Sequence, residues 1–180
     1  MKHAYSLVCA MVLLSVGCQA PASAPLPAPD HVDLERFMGD WYVVASIPTP
    51  FERGAHNAIE RYTLADDGHI ATEFTYNKDA LDGPRKTMHA KGFVLDATTN
   101  ARWGMQFIWP FKADYRIIYV DSTYNTTIVG RQQRDYVWIM SRSLMDDATI
   151  DGHADWLRDL GYDTSKLIRI PHSVNTGGPQ

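Results

Sequence analysis

Short runs of alternating apolar and polar residues, rather than helical repeats, fill most of this chain beyond residue 40. The alternation predicts strands, and turn signals such as Asp66-Asp67-Gly68 and Asp82-Gly83-Pro84 separate them. The predicted strands are 41–47, 57–65, 69–77, 86–95, 101–109, 114–121, 125–131 and 135–142. Eight short strands at this spacing predict a mainly β protein with consecutive antiparallel pairing, in a barrel or a sandwich.

One amphipathic helix follows the strands. Apolar residues at Ile150, Ala154, Leu157 and Leu160 recur at helical spacing, so a helix is predicted over 146–160. Gly161 is placed to end it. A single apolar stripe is enough to pack this C-terminal helix against the outside of the sheet. Residues 166–170 alternate again and predict a last short strand, and 173–180 read as a flexible tail.

Two distant segments indicate that the sheet closes into a barrel. Gly39, Trp41 and Tyr42 open the first strand, and Arg142 ends the eighth. A guanidinium on the Trp41 indole would form a cation–π contact of roughly 0.5–2 kcal/mol. The prediction is an up-and-down antiparallel β-barrel of eight strands, with the first strand closed on the last.

Strand periodicity then assigns the barrel interior. If Arg142 points inward, every second residue before it in the same strand points inward too. In the other strands, polar residues are expected to face solvent, which assigns the alternate positions to the interior. Large and small side chains are expected to share this interior, which favours a cavity over solid filling. The residues expected to face inward include Tyr136, Trp138, Met140, Tyr115, Ile117, Tyr119, Met105, Phe107, Ala90 and Gly92.

The N-terminal residues predict export. Residues 1–17 have a short polar start and an apolar stretch too short to span a bilayer, and Leu14-Ser15-Val16-Gly17-Cys18 resembles a lipoprotein signal. Cys18 would then carry a diacylglyceryl group, and Gln19 after it favours the outer membrane. The alternative is an ordinary secretory peptide cut near Ala20, Ala22 or Ala24.

The composition assigns a role to the segment after Cys18 and excludes some partners. Residues 18–30 are rich in alanine and proline and predict a semi-extended tether, which leaves 31–172 as one domain. The net charge of −4, without basic blocks, argues against nucleic-acid binding.

The chemistry of an enzyme is not evident. The seven histidines have no metal-ligand spacing, and Ser141 and Ser143 have no glycine elbow. Asp66-Asp67 and Asp146-Asp147 read as turn and helix-start residues rather than as acid pairs or a calcium site. No catalytic residue, metal or cofactor is predicted.

Taken together, these residues resemble the lipocalin family and, within it, the bacterial outer-membrane lipoproteins. Gly39, Trp41 and Tyr42 fit the first family signature, Asp121 and Tyr124 fit the second in a loosened form, and Arg142 fits the third. Two further segments are similar to the bacterial branch, Phe51-Glu52-Arg53-Gly54 and Gly161-Tyr162-Asp163-Thr164-Ser165-Lys166. Catalytic lipocalins that use a thiol inside the barrel are excluded, because no cysteine follows Cys18.

The resemblance implies a cup-shaped barrel that binds a fatty acid or a lysophospholipid, for envelope biogenesis or repair under stress. It implies attachment to the outer membrane through the lipid anchor, with the periplasmic face expected, and it leaves a homodimer open. It also places Tyr115 and Trp138 against the polar part of the lipid, although both could be core aromatics. The alternatives are an envelope enzyme acting on an apolar substrate in the cup, and an interaction protein with a filled barrel and exposed loops at Phe51 and Trp109-Pro110-Phe111.

Glu60 departs from the family pattern. If Tyr62 faces inward, Glu60 does too, where the family more often has a small residue. A buried carboxylate is costly unless it is paired. Glu60 therefore lies near the mouth, pairs with a base, or marks a register slip or bulge. Inside the cavity it would disfavour a free fatty-acid carboxylate and favour a zwitterionic or neutral head group.

Overall fold

A computed structural model describes residues 24–173 of the 180-residue chain. The signal segment 1–17, Cys18 and residues 174–180 lie outside the described residues. The helices are α1 (Leu34–Phe37) and α2 (Asp147–Asp159). The strands are β1 (Gly39–Ile47), β2 (Ala55–Leu64), β3 (Ile70–Lys78), β4 (Arg85–Val94), β5 (Arg102–Ile108), β6 (Phe111–Val120), β7 (Thr126–Gly130), β8 (Val137–Ser141) and β9 (Ile168–Arg169).

The first eight strands form a closed antiparallel barrel. Each strand pairs with the next from β2 to β8, and β1 pairs with both β2 and β8. The predicted up-and-down barrel and its C-terminal helix are therefore confirmed. The contact of β1 with β2 ends at Tyr42, and β9 pairs with Ala45 and Ser46 further along β1. The short strand β9 thus provides hydrogen-bond partners for the part of the β1 edge that β2 does not cover.

The two ends of the barrel differ. The closed end carries α1 and the connections β2–β3, β4–β5 and β6–β7. The open end carries the connections β1–β2, β3–β4, β5–β6 and β7–β8. At the closed end the interior is packed with fully buried aromatic side chains: Phe37, Trp41, Tyr62 and Trp103.

Helix α2 covers the outer wall. The Asp146 side chain accepts a hydrogen bond from the Thr149 amide at 2.7 Å and caps the helix N-terminus. Ile150 and Leu157 are buried against Val137 and Ile139 of β8, which point away from the interior as predicted. Met140 and Trp138, on the other face of β8, belong to the interior cluster.

In β6 the alternation of inward and outward side chains shifts by one residue, and the sequence pattern does not indicate this shift. Ile117 pairs with Val129 and Tyr119 pairs with Ile128, so Ile118 is an extra residue in β6. Ile118 and Tyr119 therefore both face the outer wall, where Tyr119 packs against His153 and Trp156. The prediction that Tyr119 faces inward is wrong.

Two other inward predictions are wrong, and the expected role of Gly92 needs correction. Tyr136 precedes β8 and lies beneath the Arg131 guanidinium rather than in the interior cluster. Phe107 lies where β5 has parted from β4 and is mostly exposed. Gly92 does face inward, but the space beside its Cα is filled by Ile70 and Trp103, so it permits close packing and leaves no cavity.

Arg142 closes the bottom of the barrel, as predicted. Its guanidinium lies 3.7 Å from the Trp41 ring centroid. It donates hydrogen bonds to the carbonyl oxygens of Met38 and Asp40, each at 2.7 Å, and to those of Arg36 and Phe37. These acceptors include carbonyls at the end of α1, which the short helix leaves without intrahelical partners. One cation therefore holds α1, β1 and β8 together.

Replacement of this cation should destabilise the whole barrel. We expect Arg142→Ala to lower the free energy of unfolding by about 2–4 kcal/mol, because a cation–π contact and several charge-assisted hydrogen bonds are lost. Urea unfolding followed by circular dichroism measures the change. Arg158→Ala, which removes an exposed arginine paired with Asp155, serves as the control and should stay within about 0.5 kcal/mol of wild type. Equal effects of the two substitutions would contradict this role of Arg142.

Candidate functional site

The barrel interior is filled at the closed end and remains accessible above it. Glu60, Met88 and Trp138 face inward yet are only partly buried, unlike the aromatic side chains beneath them. Because these side chains face inward, their residual exposure indicates that the interior is not completely filled above the closed end. These three residues therefore mark the part of the interior that a ligand could enter.

A column of aromatic rings rises from the closed end into this region. The ring centroids of Phe37 and Trp103 are 5.5 Å apart, those of Trp103 and Tyr115 are 5.8 Å apart, and those of Tyr115 and Trp138 are 5.9 Å apart. Such contacts fix the orientation of each ring. Trp138, at the top of the column, is the one with an accessible surface.

The polar atoms of the column have partners. The hydroxyl groups of Tyr62 and Tyr115 form a hydrogen bond with each other inside the barrel. The indole N–H of Trp138 donates to Glu52 Oε2 at 3.2 Å, and the same oxygen accepts from the Thr49 amide at 2.9 Å. Glu52 belongs to the β1–β2 connection, so it joins the top of the column to the open end.

The two carboxyl groups of the interior, Glu52 and Glu60, both resist ionisation. Burial raises the pKa of Glu52, although its hydrogen bonds with Thr49 and Trp138 partly offset this effect. Burial raises the pKa of Glu60 well above its usual range, and the negative charge of Glu52 raises it further. Among the described residues, no basic side chain forms an ion pair with either carboxyl group, and no basic group lowers either pKa.

Glu60 lines the interior in the regular register of β2. It pairs with Trp41 of β1 and Phe74 of β3, both of which face inward. The irregularity of β2 lies earlier, between His56 and Ile59. The alternative of a register slip at Glu60 is therefore wrong. Within residues 24–173, the Glu60 carboxyl group has no hydrogen-bond partner.

Burial also raises the pKa values of Tyr62 and Tyr115 well above the usual range. Both hydroxyl groups therefore stay neutral at physiological pH and remain hydrogen-bond donors. The interior thus presents neutral donors beside two carboxyl groups.

The structure brings together most of the residues that the sequence indicated. Tyr115, Trp138, Met105, Ile117, Met140 and Ala90 share the interior cluster. Tyr119, Tyr136 and Phe107 lie outside this cluster. Sequence reasoning missed Glu52 as an interior group, because nothing in the pattern around it shows that the β1–β2 connection folds back over Trp138.

The second predicted signature is structural. Asp121 accepts hydrogen bonds from the backbone amides of Thr123 and Thr126, which shapes the β6–β7 turn. The Tyr124 hydroxyl accepts from the Asp33 amide at 2.8 Å, and its ring lies under the Arg36 guanidinium. Both residues hold the closed end together and lie away from the accessible interior.

A second concave surface lies outside the barrel. A groove of about 550 Å³ crosses the outer face of β2 to β5, and Arg61, Glu73, His89, Lys91 and Trp109 are among its lining residues. Its charges are mixed and its side chains point to solvent.

Within residues 24–173, no cluster of three or more histidine, cysteine or acidic side chains could hold a metal ion. In the same part of the chain, no helix has the length and hydropathy needed to span a membrane.

Comparison with known proteins agrees with this geometry. A family described as a lipocalin-like domain matches residues 32–172. The outer membrane lipoprotein Blc of Escherichia coli K12 is 31% identical over 161 residues, which cover 87% of this chain and 89% of the relative. Temperature-induced lipocalin-1 of Arabidopsis thaliana is 30% identical over 79% of this chain and 80% of its own length.

A solved structure supports the fold independently. Insecticyanin from the tobacco hornworm Manduca sexta superimposes with a TM-score of 0.64 over 86% of this chain and 89% of its own. At 19% identity, this similarity speaks for the fold alone. The family match, the relatives, the closed eight-stranded barrel and the Trp41–Arg142 closure lead to one conclusion: this chain belongs to the lipocalin-like family.

Proposed function

We propose that this protein holds a single-chain lipid, a fatty acid or a lysophospholipid, in the open half of its barrel and carries it within the bacterial envelope. The observation that carries the proposal is the accessible interior surface of Trp138 and Met88 above a sealed floor. An eight-stranded barrel has the width for one slender ligand once its lower half is filled. An acyl chain matches these apolar walls.

The polar groups give the ligand an orientation. Glu52 and Trp138 lie toward the open end, and Tyr115 and Tyr62 lie deeper. A head group placed beside Glu52 and Glu60 lets the acyl chain contact Met88, which is only partly buried. Tyr115 and Trp138 then bracket the junction between head group and chain.

The two interior carboxyl groups favour one class of head group. A free carboxylate would meet Glu52 and Glu60 without a cation between them, and it would repel either group in its ionised form. An ammonium group would pair with Glu60 and favour its ionised form. We therefore infer that a zwitterionic lysophospholipid is preferred to a free fatty acid.

The location is part of the same proposal. Cys18 lies outside the described residues, and relatives 25–32% identical to this chain are named outer membrane lipoproteins. We infer that a lipid on Cys18 fixes the protein to the outer membrane, with its periplasmic face expected. A role in envelope biogenesis or stress repair would follow from moving lysophospholipids there. Binding without turnover distinguishes this carrier from an enzyme acting in the same cup.

Trp138 tests whether the open half of the interior binds lipid. We expect Trp138→Ala to weaken binding of a fluorescent lysophospholipid by about tenfold or more, since loss of a large aromatic contact is worth about 1.5–3 kcal/mol. Fluorescence titration gives the dissociation constant. Trp156→Ala, on the outer wall against Tyr119, is the matched control and should leave that constant unchanged. If wild type never takes up the probe, the barrel is filled and the proposal fails.

Glu60 tests the head-group preference. Wild type should bind lysophosphatidylethanolamine more tightly than palmitate, and increasingly so as the pH rises through the raised pKa of Glu60. Glu60→Gln should reduce this preference by about tenfold, because it removes one interior charge without changing shape. Glu73→Gln, on the outward face of β3 and near His89, is the control. An unchanged preference in Glu60→Gln would refute the assigned selectivity.

The same substitution predicts a pH dependence of stability. A pKa raised in the folded state means that folding favours protonated Glu60, so wild type loses stability as the pH rises from about 4.3 through the folded pKa. Without ligand, Glu60→Gln should match wild type in stability near pH 4 and should be the more stable of the two at pH 8. Urea unfolding at a series of pH values measures the difference. Parallel curves for the two proteins would contradict burial of this carboxyl group.

A further inference from the structure

Large apolar side chains are exposed at the open end of the barrel. We name Phe51, Phe107, Ile108, Trp109 and Phe111 the apolar rim. Trp109 is 82% exposed, Phe51 77%, Phe111 75% and Ile108 73%. Among the described residues, the exposed apolar side chains of the closed end are leucines such as Leu95, which is 50% exposed. Aromatic residues with this exposure are typical of surfaces that meet a partner or a lipid interface.

The charges of the two ends have opposite signs. The loops and adjoining strand ends of the closed end are mainly acidic: Asp30, Asp33, Glu35, Asp40, Asp66, Asp67, Asp96, Asp121 and Asp146, against Arg36, Arg102 and Arg142. Those of the open end are mainly basic: Arg53, Lys78, Arg85, Lys86, Lys112, Arg131 and Arg134, against Glu52, Asp79, Asp82 and Asp135. A chain with a net charge of −4 therefore presents a basic face around its apolar rim.

The described chain begins at this same end. The Ala24 carbonyl oxygen accepts hydrogen bonds from the side chains of Gln132 and Arg134, at 3.1 and 2.6 Å, in the β7–β8 connection. The Leu26 side chain is buried against the outer wall. The predicted tether is therefore fixed to the barrel by residue 24. Cys18 is six residues earlier and can lie no farther than about 22 Å from this connection.

We propose that the open end of the barrel docks on an anionic lipid bilayer, with the apolar rim in its interfacial layer. The rim supplies aromatic side chains, which the membrane interface favours. The surrounding bases supply electrostatic attraction to anionic lipids. The acidic closed end points away from the surface. A ligand then passes between bilayer and barrel without crossing water, and only this last step rests on the proposed lipid-binding function.

Depth-dependent quenching on vesicles tests the docking. The full chain is isolated from membranes, and an environment-sensitive dye is attached at Phe111→Cys, at Phe51→Cys or at the control position Leu95→Cys. All three side chains are exposed, so the substitutions should not disturb folding. The vesicles contain phosphatidylethanolamine and phosphatidylglycerol, with or without a spin-labelled lipid as quencher. Intact mass gives the state of Cys18 and the number of dyes on each chain.

We expect the dyes at 111 and 51 to shift to the blue and to be quenched by about twofold or more, and the dye at 95 to emit as it does in water. Replacement of phosphatidylglycerol by phosphatidylcholine should reduce the quenching. If the dyes at 111 and 51 keep the emission that they have in water, whether or not Cys18 carries acyl chains, the proposal is overturned. Quenching at 95 equal to that at 111 and 51 would overturn it too. Lysophospholipid binding in solution is measured separately, so a failure of the binding function is distinguished from a failure of docking.

Discussion

The contact between Arg142 and Trp41 is the constraint on which the rest of the structure depends. It joins the last strand of the barrel to the first and covers the carbonyl ends of α1, so the closed end is sealed by one cation. Above this seal, Phe37, Trp103 and Tyr62 leave no room for a ligand. The residues that identify the family therefore build the floor, and the proposed ligand contacts lie nearer the open end.

This division makes the polar chemistry of the interior informative. Glu60 faces the interior without an ion-pair partner among the described residues, and desolvation together with the charge of Glu52 raises its pKa. Such a group costs stability in the empty protein. A ligand that brings a positive charge to Glu60 would offset that cost. If the proposed function holds, selectivity for the head group and the stability cost in the empty barrel have a common origin in one carboxyl group.

Much of the fold could be predicted because it depends on local patterns. Period-two alternation located all eight strands of the barrel, and parity from Arg142 placed Trp138 and Met140 inside. Parity failed at Tyr119, because the extra residue Ile118 changes the face of every residue after it and leaves no mark in the sequence. The position of Glu52 over Trp138 depends on how a loop folds back, which alternation cannot show. The burial of Glu60 was visible in the pattern, but only the pairing with Trp41 and Phe74 excludes a slip.

We infer that a sealed floor leaves the open half of the barrel for one single-chain lipid. Native mass spectrometry of the full chain, loaded with an equimolar mixture of lysophosphatidylethanolamine and palmitate, tests this stoichiometry and selectivity together. We expect one added mass for each chain, that of the lysophospholipid, and loss of this species in Trp138→Ala. A chain that keeps its unliganded mass at saturating lipid, or one that binds several lipids equally well with and without Trp138, would contradict it.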